Sequence, residues 1–310
     1  MSRARILCFG ELLLRLGAPG HELLLQQPRL DVHCGGAEAN VGVSLAHFGH
    51  DVAMVSTVAD NPLGAAVLGE LRRHDVDTRH VRRVDGRMGL YFLTTGAIHR
   101  PSEVVYDRAD SAFALAPADA YDWPALLDGV QWLHLSGVSP ALGADVAQAT
   151  LAAARAARAA GVKVSFDGNY RPKLWQRWQG DARGILHQLF ACADVVFADY
   201  RDIGVVLGGE FPQETLEARV EAAAQQAFAA FPQLQLMACT QRVAHNVDHH
   251  SLGALLVPRS GAVARAPSEE LSPIIDRIGG GDAFAAGVLH GLIEGWSLDD
   301  TVRFAWRPAA

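Results

Sequence analysis

Short, continuously apolar runs recur along the chain at Ile6–Phe9, Val52–Val58, Trp132–Leu135, Val162–Phe166, Val195–Ala198, Leu234–Thr240 and Gly253–Val257. Runs of this length without polar alternation predict strands buried on both faces. Between many of them, apolar residues recur at helical spacing: Ala37–Phe48, Leu63–His74, Ala144–Ala160 and Thr215–Phe231. Strands alternating with helices predict an α/β fold with a doubly wound, mostly parallel sheet. Ligands on such sheets bind beyond the carboxyl ends of the strands.

Two segments break the rhythm. Leu12–Cys34 and Gly86–Arg108 carry no helical pattern, only short extended runs such as Gly89–Thr95 and Val104–Tyr106 between Gly, Pro and charged residues. They predict antiparallel strands and a small β-sheet built from two insertions, at about 12–34 and 86–110. Its functional reading is a lid over a site; its bland reading is an edge extension of the main sheet. No internal repeat, low-complexity linker or second full domain is visible, so residues 1–310 read as one domain.

Composition narrows the function. The chain has 310 residues, half of them hydrophobic, which suffices for one large core. A net charge of −7 argues against a general nucleic-acid footprint. No apolar run approaches the roughly 18 residues that span a bilayer, so a membrane partner is not expected. Met1–Gly10 leads almost directly into a strand and lacks the apolar core and cleavage site of a secretory signal. Cys8, Cys34, Cys192 and Cys239 form no CxxC pair and read as free thiols of a cytoplasmic protein. The histidines at 245, 249 and 250 lie among polar, loop-like neighbours, and there is no HExxH.

Three segments carry chemistry. Asp276-Arg-Ile-Gly-Gly-Gly-Asp282 precedes a small-residue helix. Its glycines let backbone N–H groups converge at a helix N-terminus, which favours an anion. A carboxylate in the same turn makes sense as a proton acceptor for an attacking hydroxyl. An ordinary N-cap is the alternative. Cys34-Gly35-Gly36-Ala37-Glu38-Ala39-Asn40 opens another helix, where paired glycines permit close ligand approach and Asn40 offers a donor and an acceptor. Ser165-Phe-Asp167-Gly-Asn169-Tyr-Arg171 follows a predicted strand, at the ligand end of the sheet, and is more polar than a turn requires. An Asx-stabilised loop is its bland reading.

Together these segments resemble the PfkB (ribokinase-like) carbohydrate kinases. The Gly35–Asn40 segment is similar to the family's N-terminal signature, and Asp276–Asp282 to its C-terminal one. Arg277 and Gly280 depart from the commonest Asp-Thr-x-Gly-Ala-Gly-Asp form. The resemblance spans nearly the whole chain and implies a kinase that uses ATP and Mg2+. It implies Asp282 as catalytic base, Gly279, Gly280 and Gly281 as the anion hole, and Gly35, Gly36 and Asn40 as sugar contacts. Asp199 and Asp202 fall where many members carry Asn-x-x-Glu, which implies nucleotide contact by Asp199 and metal contact by Asp202. Thr240, Arg242 and Asn246 fall on the nucleotide loop, whose usual glycines are absent here.

Within the family the chain resembles the 2-keto-3-deoxygluconate kinases, through Tyr91, Val105–Ala112 and Asn169–Trp175. The implied substrate is a small sugar acid, made into its 6-phosphate. Arg108 and Arg171 suit its carboxylate, and Tyr91 and Tyr106 its flat face. For each arginine, a surface ion pair is the commoner alternative. A kinase of an uncharged hexose, such as fructokinase, is the runner-up. A silent sugar- or nucleotide-binding relative is another, because the helix-like run Leu298–Phe304 gives way to an unusual end at Trp306–Ala310, shorter than the continuation the family resemblance implies. A nicotinamide dehydrogenase is disfavoured, because Cys8-Phe-Gly10 is not a GxGxxG turn. Lid sheets in this family often pair between subunits, so a homo-oligomer is expected.

Overall fold

The computed structural model describes residues 4–310; the first three residues of the Met1–Gly10 reading lie outside the described residues. In chain order, β1 (Arg5–Phe9) is followed by β2 (Leu13–Gly17), β3 (Asp31–Gly35), α1 (Ala37–His47), β4 (Asp51–Ala59), α2 (Pro62–Arg73) and β5 (Val81–Val84). Next come β6 (Gly89–Thr94), β7 (Glu103–Asp107), α3 (Trp123–Leu126), β8 (Trp132–Ser136), α4 (Ala144–Ala159) and β9 (Lys163–Asp167). The second half holds α5 (Pro172–Trp178), α6 (Ala182–Phe190), β10 (Val195–Phe197), α7 (Tyr200–Leu207), α8 (Leu216–Ala230) and β11 (Leu236–Ala244). It closes with β12 (His250–Pro258), β13 (Ala264–Leu271), α9 (Gly280–Glu294) and α10 (Leu298–Ala309).

Nine strands form one sheet in the order β13-β12-β11-β10-β9-β8-β1-β4-β5. From β5 to β11 every pairing is parallel. The apolar strands explain this: alternate side chains enter two cores, one on each face. Leu7, Phe9, Val55 and Leu133 lie in one core, and Ile6, Cys8, Met54 and Trp132 in the other. The expected mostly parallel α/β sheet with a small second sheet is therefore present. The run Gly253–Val257 is the exception among the strands, because β12 pairs with β11 antiparallel. Only residues 245–249 connect them, which allows a hairpin but no crossover helix.

The second sheet has four strands in the order β3-β2-β6-β7. Its register sets its two faces. Arg15 sits opposite His33 and Tyr91, and Tyr91 opposite Tyr106, so these four share one face. One position along, Val32, Leu16, Phe92 and Val105 form an apolar row on the other face. Val32 and Val105 are 58% and 45% exposed there. At the carboxyl end of the chain, α10 runs on through Trp306 to Ala309, and the Trp306 indole N–H donates to the Leu252 carbonyl at 2.9 Å. That end thus packs as a helix against β12. Among the described residues no helix is long and apolar enough to cross a membrane.

Candidate active site

The carboxyl ends of the parallel strands and the Tyr91 face of the small sheet border one cavity of about 800 Å³. Gly36, Asn40, Tyr91, Tyr106, Arg108, Arg171, Asp199, Asp202, Thr240, Gly279, Gly281 and Asp282 all line it. Three of them arrive there for local reasons. Gly279 adopts the left-handed region at φ 87° immediately before α9, which needs a residue without Cβ. Asp282 then falls in the first turn of α9, beside the positive end of the helix. Arg171 precedes Pro172, which opens α5.

Asp282 is held by one short bond: the Asn40 side-chain amide donates to its Oδ2 at 2.7 Å. Burial raises the Asp282 pKa to about 6, against the opposing pull of that bond and of the Arg171 guanidinium. The acid is therefore ionised at neutral pH yet more basic than an ordinary carboxylate. Three further acids, Asp167, Asp199 and Asp202, share the cavity. Asp167 ends β9 and is raised well above the ordinary range by burial, with Asp282 and Asp202 adding repulsion. Asp202 is raised to about 6 by burial and then by Asp199. Asp199 and Asp202 also form a capping box on α7, in which the Asp199 backbone N–H donates to Asp202 Oδ2 at 2.9 Å.

Other predicted residues sit apart. Gly280 and Arg242 line an adjoining pocket of about 210 Å³, shared with Gly279, Arg277 and the end of α10. Arg242 donates to His250 Nδ1 at 3.0 Å. Gly35 borders a separate pocket of about 260 Å³ behind Asn40. Asn246 is exposed in the β11–β12 turn, where its Oδ1 accepts from the Asp248 N–H at 2.9 Å, and it borders none of these cavities.

Arg108 differs from the freely offered guanidinium fork that its sequence context suggests. It is 6% exposed, and its Nε donates to Glu11 Oε2 at 2.6 Å. The Ser111 hydroxyl donates to the other Glu11 oxygen, also at 2.6 Å. One edge of Arg108 is thus committed, and the terminal Nη groups remain for the cavity. Sequence reasoning misses Glu11, which lies two residues past the end of β1 and 97 residues from Arg108. It also leaves Glu38 without a role. That side chain is fully buried and accepts from the Ser139 hydroxyl at 2.7 Å. Burial pushes its pKa up to about 7. A Cβ on Gly10 would overlap the Glu38 carboxyl, so Gly10 makes room for it.

The model of the pfkB family carbohydrate kinases matches residues 3–310. The chain belongs to that family. Among its relatives is the 2-dehydro-3-deoxygalactonokinase of Haloferax volcanii, 34% identical over 99% of this chain and 90% of that protein. The fructokinase of Klebsiella pneumoniae is 32% identical, over 93% of this chain and 84% of that one. The crystal structure of 2-dehydro-3-deoxygluconokinase from Thermotoga maritima superposes with a TM-score of 0.92 at 34% identity, covering 99% of this chain and 93% of that one. This carbohydrate kinase therefore carries its signature acid, Asp282, in the same cavity as both arginines and both tyrosines singled out from the sequence.

Proposed function

We propose that this kinase phosphorylates the terminal hydroxyl of a 2-keto-3-deoxy sugar acid, with ATP as donor and 2-keto-3-deoxygluconate as the best substrate. The observation that carries the reading is a single cavity holding Arg108, Arg171, Tyr91 and Tyr106 together with Asp282. An uncharged sugar leaves two guanidinium groups without a matching anion; a sugar acid brings a carboxylate. The relatives that act on the gluconate and on its galactonate epimer fit the same reading. The fructokinase relative keeps an uncharged hexose as the runner-up.

In this mechanism Asp282 accepts the proton of the hydroxyl, whose oxygen attacks the γ-phosphorus. The bond to the β-phosphate oxygen breaks, and ADP leaves. Gly279 and Gly281 border the cavity at the start of α9, where their backbone N–H groups would face the charge that develops on the transferred group, a form of stabilisation that is often the largest catalytic contribution, whereas the Gly280 N–H donates to the Arg277 carbonyl. Thr240 and Asp199 border the cavity where the nucleotide would lie, and Arg242 and Gly280 border the adjoining pocket. Asp202 and Asp167 are hard oxygen donors whose mutual repulsion a cation relieves, so a magnesium ion suits them. Such an ion supplies charge neutralisation on the phosphates. The small sheet, formed from the segments at about 12–34 and 86–110 of one domain, acts as a lid, because Leu13, Tyr91, Val104 and Tyr106 reach the cavity from it. The apolar row Val32–Leu16–Phe92–Val105 on its outer face supports a homo-oligomer.

The test is kcat/KM for the sugar acid and for fructose in the wild type, Arg108→Ala and Arg171→Ala. Each charge-assisted bond contributes roughly 1.5–3 kcal/mol, about ten- to a hundred-fold. The acid should win in the wild type, and each mutation should narrow its lead. Fructose as the better wild-type substrate would overturn the sugar-acid reading in favour of fructokinase. An unchanged lead in both mutants would retain the substrate and displace its carboxylate from these arginines.

A further inference from the structure

Helix α9 begins at the catalytic turn and ends at Glu294, away from the cavity. At that far end three side chains of metal-binding type converge. His50 comes from the turn before β4, and His290 and Glu294 lie one turn apart on α9. Each offers a ligand atom within 4.8 Å of the others. Both imidazoles are buried, at 5% and 4% exposure. The His290 ring is flanked by Trp296, Phe48 and Phe304, with centroids 4.9–5.3 Å away, so the pocket wall is aromatic. Phosphoryl transfer uses none of these residues.

We propose that His50, His290 and Glu294 form a binding site for a divalent transition-metal ion of the zinc, cobalt or nickel class. Two nitrogens and one carboxylate oxygen suit such ions better than magnesium or calcium, which prefer oxygen alone. His50 Nε2 and His290 Nδ1 stand 2.9 Å apart. Two nitrogens about 2.05 Å from one ion are about 2.9 Å apart at a right angle and about 3.3 Å apart in a tetrahedron. The rings therefore need to separate by a few tenths of an ångström at most. The metal-free arrangement leaves His50 Nδ1 and Glu294 Oε1 shielded from solvent with no hydrogen-bond partner among the described residues. A cation on the carboxylate answers the second of these, and the negative end of α9 adds to its attraction. Three protein ligands leave a fourth position for water. The bound ion would tie the end of α9 to the turn that enters β4.

The experiment uses the full chain without an affinity tag, stripped by EDTA and exchanged into chelator-free buffer. Zinc is titrated by calorimetry, cobalt by its visible absorption, and melting is followed with and without zinc. The wild type should bind one equivalent at this site, and its melting temperature should rise by roughly 5 °C at a hundredfold excess over Kd. His290→Gln and Glu294→Gln should each weaken binding at least about tenfold. His249→Ala should leave it intact, which separates this site from the exposed His245, His249 and Glu270 group. Absence of stoichiometric binding in the wild type overturns the proposal and leaves a hydrogen-bonded histidine pair. So does binding that survives both former mutations and disappears in His249→Ala. If His290→Gln does not fold, Glu294→Gln, at a half-buried helix end, decides the question alone. None of these outcomes depends on the identity of the sugar.

Discussion

Replacing Asp282 by asparagine should remove most of the turnover and stabilise the protein at once. The replacement is nearly isosteric, and its amide oxygen can still accept the Asn40 bond that Asp282 Oδ2 accepts at 2.7 Å. What is lost is the capacity to take a proton, which typically costs about 10²–10⁴-fold in rate. What is gained follows from the acid's position. Its folded pKa of about 6 lies above an ordinary value near 3.8. The folded state therefore binds the proton more tightly than the unfolded chain, and stability falls as pH rises from about 4 to about 6. At pH 7.5 the ionised Asp282 costs at most about 3 kcal/mol, and at pH 5 roughly half of that. Asp282→Asn removes this cost. ADP release should fall at least about a hundredfold, while the melting temperature at pH 7.5 rises, by more than at pH 5. In the wild type kcat/KM should drop about tenfold per pH unit below about 6, and that limb should be missing from the residual activity of the mutant. Turnover within tenfold of wild type would refute the assignment. Lost turnover accompanied by lost stability would refute the electrostatic reasoning.

Glu11→Ala should destabilise by about 3–5 kcal/mol, because it strands Arg108 as a buried, unpaired cation; denaturant unfolding that shows under 1 kcal/mol would contradict the buried pair. Backbone amides of β2, β6 and β7 should exchange more slowly when the sugar acid is bound, as a closing lid requires. Unchanged exchange in all three strands at saturation would rule the lid out.

Legibility in the sequence followed contiguity. Asp282, its glycines and Asn40 were readable because each motif folds locally onto a helix start. Glu11 was not, because its role exists only once Arg108 is brought back across 97 residues. Glu38 lay inside a recognised motif, yet its burial beneath Gly10 depends on how α1 packs on β1. Strand β5 reads Val-Arg-Arg-Val and offers no apolar run. Edge strand β13 reads Ala-Arg-Ala-Pro-Ser-Glu-Glu-Leu and likewise has no apolar run. Helices α5, α6 and α7 span 7, 9 and 8 residues, too short for a helical period to stand out.

Two ion pairs between the small sheet and the main body indicate where the proposed lid would turn and where it would open. Arg108 and Glu11 are 6% and 1% exposed, so separating them would leave two desolvated charges, and that pair should persist through any motion. Arg15 reaches from β2 to Asp276 in the catalytic signature at 2.7 Å, but Asp276 is 44% exposed. Arg15 itself is 13% exposed, so the pair is half accessible to solvent and costs less to separate than the Arg108–Glu11 pair. In the proposed lid the buried pair, near the junction of β1 with the small sheet, would serve as the hinge. The more accessible pair, at the cavity rim, would serve as the latch. A lid built this way would open at a smaller cost at the latch than at the hinge, so a bound substrate would need to supply only modest free energy to close it.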